Sequence, residues 1–242
     1  MTKLSNFTII LLICHFLGDF QLQSHSIAQK KSHDIKYLQR HIGIHSLILI
    51  YPLILIIVNK IYLEGILTLV AILLSHAIID YWKAYITKKK KVYPTFLFVI
   101  DQLLHISIIL LFSQIIFNNQ LSSINGFAQN RDLLNWVLLC VLITKPANIL
   151  FKIAFNKYDL PKKESDITES GAGGLIGNLE RLLSVIFLAL NQMSAIGLIY
   201  TAKSIARFKQ IEENKRFAEY YLIGTLYSIL YSIIAYYLVM KI

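Results

Sequence analysis

Apolar residues run through this chain in long blocks separated by short polar stretches, and the blocks have the length of membrane crossings. A helix needs about 20 predominantly apolar residues to traverse roughly 30 Å of hydrocarbon. Such runs lie near residues 5 to 23, 41 to 59, 61 to 82, 95 to 117, 132 to 152, 173 to 190, 192 to 206 and 217 to 240. The pattern predicts an all-α fold: a polytopic transmembrane helical bundle of about seven or eight membrane helices, with the seventh run short enough to be re-entrant. The runs consume most of the 242 residues, so residues 1–242 read as a single integral membrane domain. The first run, preceded by Lys3, also has the length of a signal-peptide core, but His15 and Asp19 within it argue against cleavage.

Composition agrees with that picture. Hydrophobic residues make up 56% of the chain and charged ones 16%, with a mean hydropathy of +0.57, far from the balance of a soluble domain. Of the 24 lysines and arginines, 18 fall in four segments: 24 to 40, 83 to 94, 152 to 170 and 203 to 216. The positive-inside rule then makes these segments cytoplasmic and both termini external, as in a multi-pass protein of a cell membrane. The net charge of +10 is thus mostly topology, with attraction to anionic lipid headgroups as a secondary effect, and no nucleic-acid partner is needed to explain it. Cys14 and Cys140 lie in apolar runs without C-x-x-C spacing and read as small buried side chains. There is no internal repeat, low-complexity segment or nucleotide-binding loop. The one long polar linker is "YDLPKKESDITESGAGG", residues 158 to 174.

The chemistry is concentrated in the first half. All seven histidines lie within the first 105 residues, in "HFLGD" (His15, Asp19), "HIGIH" (His41, His45), "HAIID" (His76, Asp80) and "DQLLH" (Asp101, His105), with His25 and His33 left over in the basic first loop. Each pair has the spacing i, i+4, which places both side chains on one helix face about a turn apart and suits two ligands of one metal ion. With the expected topology, all four pairs fall in one layer near the cytoplasmic boundary. A lone intramembrane histidine often serves only as an interhelical hydrogen bond, worth about 0.6 kcal/mol. Three intramembrane aspartates, however, are costly without counter-charge. One or two divalent metal ions are therefore expected on His15, Asp19, His45, His76, Asp80, Asp101 and His105, while His25 and His33 are expected in solvent and His41, at the boundary, fits either reading. Mixed His and Asp ligation suits zinc, manganese or iron comparably.

These motifs resemble a family of small bacterial membrane proteins designated only as a domain of unknown function, DUF3307. The resemblance rests on "CHFLGDFQLQS" followed by a lysine pair, "HSLIL", "SHAIIDYWK" and "IDQLLH", and on the C-terminal "GAGGLIGNLERLL", "TAKSIARFKQIE" and "AEYYLIGTL". It implies no reaction. In its His and Asp pairs at helix ends the chain is also similar to proteins predicted to be membrane-bound metal-dependent hydrolases, an analogy and no more.

The second half adds cations. "GGLIGNLER" sets Gly173 and Gly177 in a small-x-x-x-small pattern suited to close helix packing, or alternatively to a helix N-terminus that receives phosphate with Arg181. Glu180 and Arg181 are adjacent, face different directions, and each requires a partner from another helix. Lys145 and Asn148 flank the kink expected at Pro146, and Lys203 and Arg207 share a helix face from which they can also snorkel to headgroups. The combination suggests a metal-dependent hydrolase of a lipid or lipid-phosphate substrate. In that reading Asp101 is the general base, Glu180 and Arg181 are further catalytic candidates, and Lys145, Arg181, Lys203 and Arg207 bind substrate. The alternatives are a divalent-cation or proton-coupled transporter, for which intramembrane His and Asp chains are equally apt, and a non-catalytic assembly subunit. The topology itself is directly testable: a cysteine placed at Lys89 should be labelled by an impermeant maleimide only after the cells are opened, and labelling of intact cells would overturn it.

Overall fold

A computed structural model describes residues 4–89, 92–117, 129–158 and 171–241, and in these residues the chain is helical without strands. Most of the expected linker 158 to 174 lies outside the described residues, as do Lys3, Lys90, Lys91, Lys162 and Lys163. Six helical stretches are long and apolar enough to cross a membrane: Ile35–Val58, Tyr62–Lys88, Pro94–Gln114, Arg131–Ala154, Ala172–Ala189 and Lys215–Lys241. The short expected seventh run is the helix Met193–Ala206. The chain is a multi-pass helical membrane protein. It divides into two compact units, Met1–Val141 and Leu142–Ile242.

In the first unit, α1 (Asn6–Phe16) is buried on every side from Phe7 to Phe16. A helix apolar all round can only be satisfied inside other protein or in lipid, and α1 takes the first option. It is wrapped by α3 (Ile35–Ile48), α4 (Ile50–Val58) and α6 (Pro94–Phe117), while α5 (Tyr62–Lys88) packs along α6 and against α3 and α4. The short α2 (His25–Lys30) rests against α3. The helix α7 (Arg131–Leu142) is tied at both ends to the segments that flank α1: Arg131 Nη1 donates to the Leu4 carbonyl at 2.7 Å, and Gln21 Nε2 to that of Val141 at 3.3 Å. By contrast, Leu63, Leu67, Leu74 and Ile78 of α5 are exposed, the face such a helix offers to acyl chains.

Two irregularities shape the site. After Phe16 the helix widens into a π turn over Leu17–Gln21, closed by Leu22 N–H on the Leu17 carbonyl at 2.9 Å; such turns shift the register of the side chains they carry and recur at functional sites. The junction of α3 and α4 at Leu49 precedes Pro52, which has no N–H for the carbonyl four residues back.

The second unit holds α8 (Lys145–Ala154), α9 (Ala172–Ala189), α10 (Met193–Ala206), α11 (Phe208–Glu213) and α12 (Lys215–Lys241), with α9 packed between α10 and α12. Asn191 takes a left-handed conformation, φ 56°, in the tight turn from α9 to α10. Before α8, Thr144 leaves helical geometry and Pro146 lacks the N–H that would reach Leu142. Carbonyls freed within a bilayer must find donors in the protein. Tyr231 Oη donates to the Leu142 carbonyl at 3.1 Å, Arg181 Nε to that of Ile143 at 2.5 Å, and Tyr227 Oη to that of Ala147 at 2.8 Å. Removing one neutral donor should cost about 1 kcal/mol, and removing a buried charged one about 3 kcal/mol. Tyr231→Phe and Arg181→Ala should therefore lower thermal stability in detergent in that order, and an unchanged Arg181→Ala would show that the break does not need its donor.

Candidate metal centre

The i, i+4 pairs of α1, α3, α5 and α6 converge in the first unit. The centre of the cluster is the Asp19 carboxylate. Its Oδ1 lies 3.0 Å from His45 Nε2, 3.3 Å from His41 Nε2 and 3.5 Å from His76 Nε2. Its Oδ2 accepts from Gln102 Nε2 at 3.0 Å and lies 3.8 Å from His15 Nε2. Asp80 Oδ2 is 2.9 Å from His41 Nε2 and 3.5 Å from His76 Nε2. Asp101 Oδ2 accepts from Lys83 Nζ at 2.6 Å and from Gln102 Nε2 at 3.1 Å, while its Oδ1 is 3.7 Å from His105 Nε2. All of these histidines and aspartates are buried, none more than 8% exposed.

Close approach here depends on one glycine. A Cβ at Gly18 would lie 2.5 Å from Cε1 and 2.6 Å from Nε2 of His45, so only glycine lets that ring reach Asp19 across the π turn.

The contacts outnumber the hydrogen bonds that can satisfy them. A ring nitrogen either donates one proton or offers one lone pair, yet the rings crowd together, His45 and His76 with centroids 3.8 Å apart and tilted by 36°, His76 and His105 at 4.2 Å and tilted by 31°. Asp101 Oδ1, His105 Nε2 and His41 Nδ1 are buried without a hydrogen-bond partner, each a costly omission in an apolar interior. Three overlapping groups have ligand atoms within 4.8 Å of one another: His15, Asp19, His45 and His76; His41, His76 and Asp80; and Asp19, Asp101 and His105. These groups could hold a metal ion. Beside the imidazoles of His15, His45, His76 and His105 opens a small cleft, walled by Leu11, Leu49, Ile72, Leu73, Ile108 and Ile109, with a free volume of about 20 Å³. That is room for a water and little more.

All seven sequence-derived ligand candidates thus lie in one cluster. His41, which the sequence left on the boundary, is 0% exposed at its heart. The family model described as protein of unknown function, DUF3307, matches residues 7–134, just over half of the chain. The chain belongs to that family. The match takes in every residue of the cluster and stops short of the glycine-rich and basic motifs of the second unit. No curated protein and no solved structure matches this DUF3307 protein.

Three polar members of the cluster were not apparent as site residues from the DUF3307 sequence. Lys31 and Lys83 carry the sequence signature of cytoplasmic loop charges, and Gln102 follows Asp101 without a motif of its own. Lys83 follows Asp80 by three residues and Lys31 belongs to the lysine pair after the first motif; both reach back toward carboxylates, with side chains only 24% and 14% exposed.

In the second unit, Glu180 and Arg181 are both buried. Glu180 pairs with Lys203 of α10 at 2.7 Å, so that charge is compensated across helices. Arg181 differs from the expectation of a counter-charge: besides the Ile143 carbonyl it donates to Asn148 Oδ1 at 2.6 Å and Asn178 Oδ1 at 2.8 Å, all neutral acceptors, because its task is to cap the α7–α8 break. Lys203 also donates to Thr225 at 3.3 Å, and Arg207 to Gln210 at 3.3 Å. Lys145 is exposed at the start of α8.

The Gly18 contact is testable against an internal control. Overpacking costs about 1–3 kcal/mol, so Gly18→Ala should destabilise the protein by that much in thermal or denaturant unfolding. Gly43→Ala, where a Cβ meets nothing within 4 Å, should be neutral or slightly stabilising; equal effects would mean that His45 yields freely.

Proposed function

We propose that this DUF3307 protein binds a divalent cation on His15, Asp19, His45 and His76, in the cytoplasmic half of the membrane, and uses it to hydrolyse a lipid or lipid-phosphate substrate. The observation that carries the reading is the four-ligand group itself: three imidazoles and one carboxylate with convergent atoms, bordering a cleft that admits a water. Three protein nitrogens plus a carboxylate, with one open side, is a ligand set used by zinc, manganese and iron sites that act on water. A cation there would lower the pKa of a water in the cleft and polarise an ester or phosphoryl oxygen.

The protein side of the chemistry follows from the second group. Asp101 is anchored through Oδ2 by Lys83 and Gln102, which leaves Oδ1 facing His105, and His105 lines the cleft. Asp101 with His105 is the proposed base that takes the proton of the attacking water. The cleft has room for a water but not for an acyl or prenyl chain, so a lipid substrate would bring only its ester or phosphoryl group to it and leave its chain in the bilayer, against the exposed apolar face of α5. In the second unit, Lys145 and Arg207, at helix ends, are proposed to meet anionic headgroups, and Glu180, Arg181 and Lys203 to hold the helices that present them. A transport path would need polar groups continuing outward from the cluster; one turn out, α1, α5 and α6 present Leu11, Ile72 and Ile109, and beyond them the buried polar side chains of these three helices among the described residues are the hydroxyls of Thr8, Thr68 and Ser113, with no ionisable group.

The purified protein should carry stoichiometric metal after loading with Zn²⁺ or Mn²⁺, and the double substitution His76→Ala with Asp80→Ala should abolish it. Loading should weaken on acidification, because protons compete for the imidazoles. In proteoliposomes, release of fluorophore from a fluorogenic lipid ester or phosphoester should be abolished by chelator, restored by the cation and lost in His76→Ala. Stoichiometric metal without chelator-sensitive hydrolysis would sink the hydrolase reading; no metal at any loading would sink the metal centre as well.

A further inference from the structure

The three overlapping ligand groups differ in what stands among their ligand atoms. The group of His15, Asp19, His45 and His76 makes no lysine contact in the described residues. In the group of His41, His76 and Asp80, the ammonium of Lys31 lies 3.1 Å from His41 Nε2 and 3.4 and 3.3 Å from Oδ1 and Oδ2 of Asp80. Lys31 comes from the end of α2, outside the crossing helices, and sends its head group down onto Asp80.

Hydrogen bonding alone does not account for the convergence there. His41 Nε2 has Asp80 Oδ2 at 2.9 Å, Lys31 Nζ at 3.1 Å, His76 Nε2 at 3.2 Å and Asp19 Oδ1 at 3.3 Å. That nitrogen can serve one of these neighbours with a proton or a lone pair, not all four. Nitrogen and carboxylate oxygens turned toward one point are the arrangement of cation ligands, and the cation among them is an ammonium.

Charge explains why. With neutral imidazoles, Asp19, Asp80 and Asp101 against Lys31 and Lys83 leave one negative charge. One divalent cation brings the buried cluster to one positive charge. A second would bring it to three, which an apolar interior resists. Without the Lys31 charge the first cation gives neutrality, and the second leaves only two positive charges.

We propose that Lys31 is a tethered cation occupying a second divalent-cation subsite, formed by His41 and Asp80 with Asp19 as the shared carboxylate. The centre takes one divalent cation while the ammonium is in place and two when its charge is removed. This rests on the metal reading above, and the test separates the two. Full-length protein in detergent is loaded with Mn²⁺ and desalted; bound manganese is counted by elemental analysis, and its electron paramagnetic resonance is recorded. Wild type should bind one Mn²⁺ with the signal of an isolated ion. Lys31→Met should double the count and show exchange coupling between two ions that share Asp19. Lys30→Met, which removes an exposed neighbouring charge, should stay at one. If Lys31→Met does not fold, Lys31→Gln carries the same expectation. Two ions in wild type, or one in wild type and still one in the folded Lys31 variant, overturns the subsite and leaves the metal reading standing. No metal in wild type or any variant overturns both.

Discussion

Three carboxylates buried among apolar helices must each be given positive partners, and much of the first unit is arranged around that requirement. A bare carboxylate in low dielectric is costly enough to protonate or to pull its helix apart. Asp19 is surrounded by imidazole nitrogens, Asp80 by His41 and Lys31, and Asp101 by Lys83 and Gln102. Except for Gln102, which directly follows Asp101, each partner comes from a different helix or from a different turn of the same one. The clustering that makes the site chemically capable is therefore also what fixes α1, α3, α5 and α6 in register. Apolar packing contributes less to that choice, because leucine is as comfortable against a lipid tail as against another leucine.

The second unit solves a different electrostatic problem with different means. Its broken crossing exposes carbonyls rather than charges, and the answer is a set of donors: two tyrosine hydroxyls from α12 and the Arg181 guanidinium from α9. Arg181 is thereby committed to backbone oxygens and two asparagines, and Glu180 to Lys203.

Helix number and helix identity were legible because each crossing is long, apolar and bounded by polar loops; the eight expected runs correspond to helices, with the largest shifts at the start of α3, Ile35 against 41, and the end of α5, Lys88 against 82. The i, i+4 spacing of the His and Asp pairs made their shared faces legible too, since spacing is a local property of a helix. Lys31, Lys83 and Gln102 were not legible as members of the cluster. A lysine near a membrane boundary has the same sequence signature whether it points to water or folds back onto a carboxylate, and only the neighbouring helix decides. The π turn at Leu17–Gln21 was equally silent. No residue type demands it, and its register shift is imposed by the contacts of Asp19 and Gly18 with α3. Arg181 could be placed at depth but not assigned its acceptor, because Pro146 announces a break in its own helix without saying which neighbour will fill it.

The complete burial of α1 bears on how the bilayer acts on the centre. Helices that face lipid adapt to a thicker or thinner membrane by tilting. Phe7 to Phe16 face only protein, so α1 has no lipid contact along that length through which to feel such a change, whereas α5 presents Leu63, Leu67, Leu74 and Ile78 directly to it. His15 and Asp19 thus belong to a post shielded from the lipid, and His76 and Asp80 to a strut that the lipid can lean on. A change of thickness that tilted α5 would therefore alter the 3.5 Å separation between the His76 ring and Asp19 while leaving His15 and Asp19 in place relative to each other.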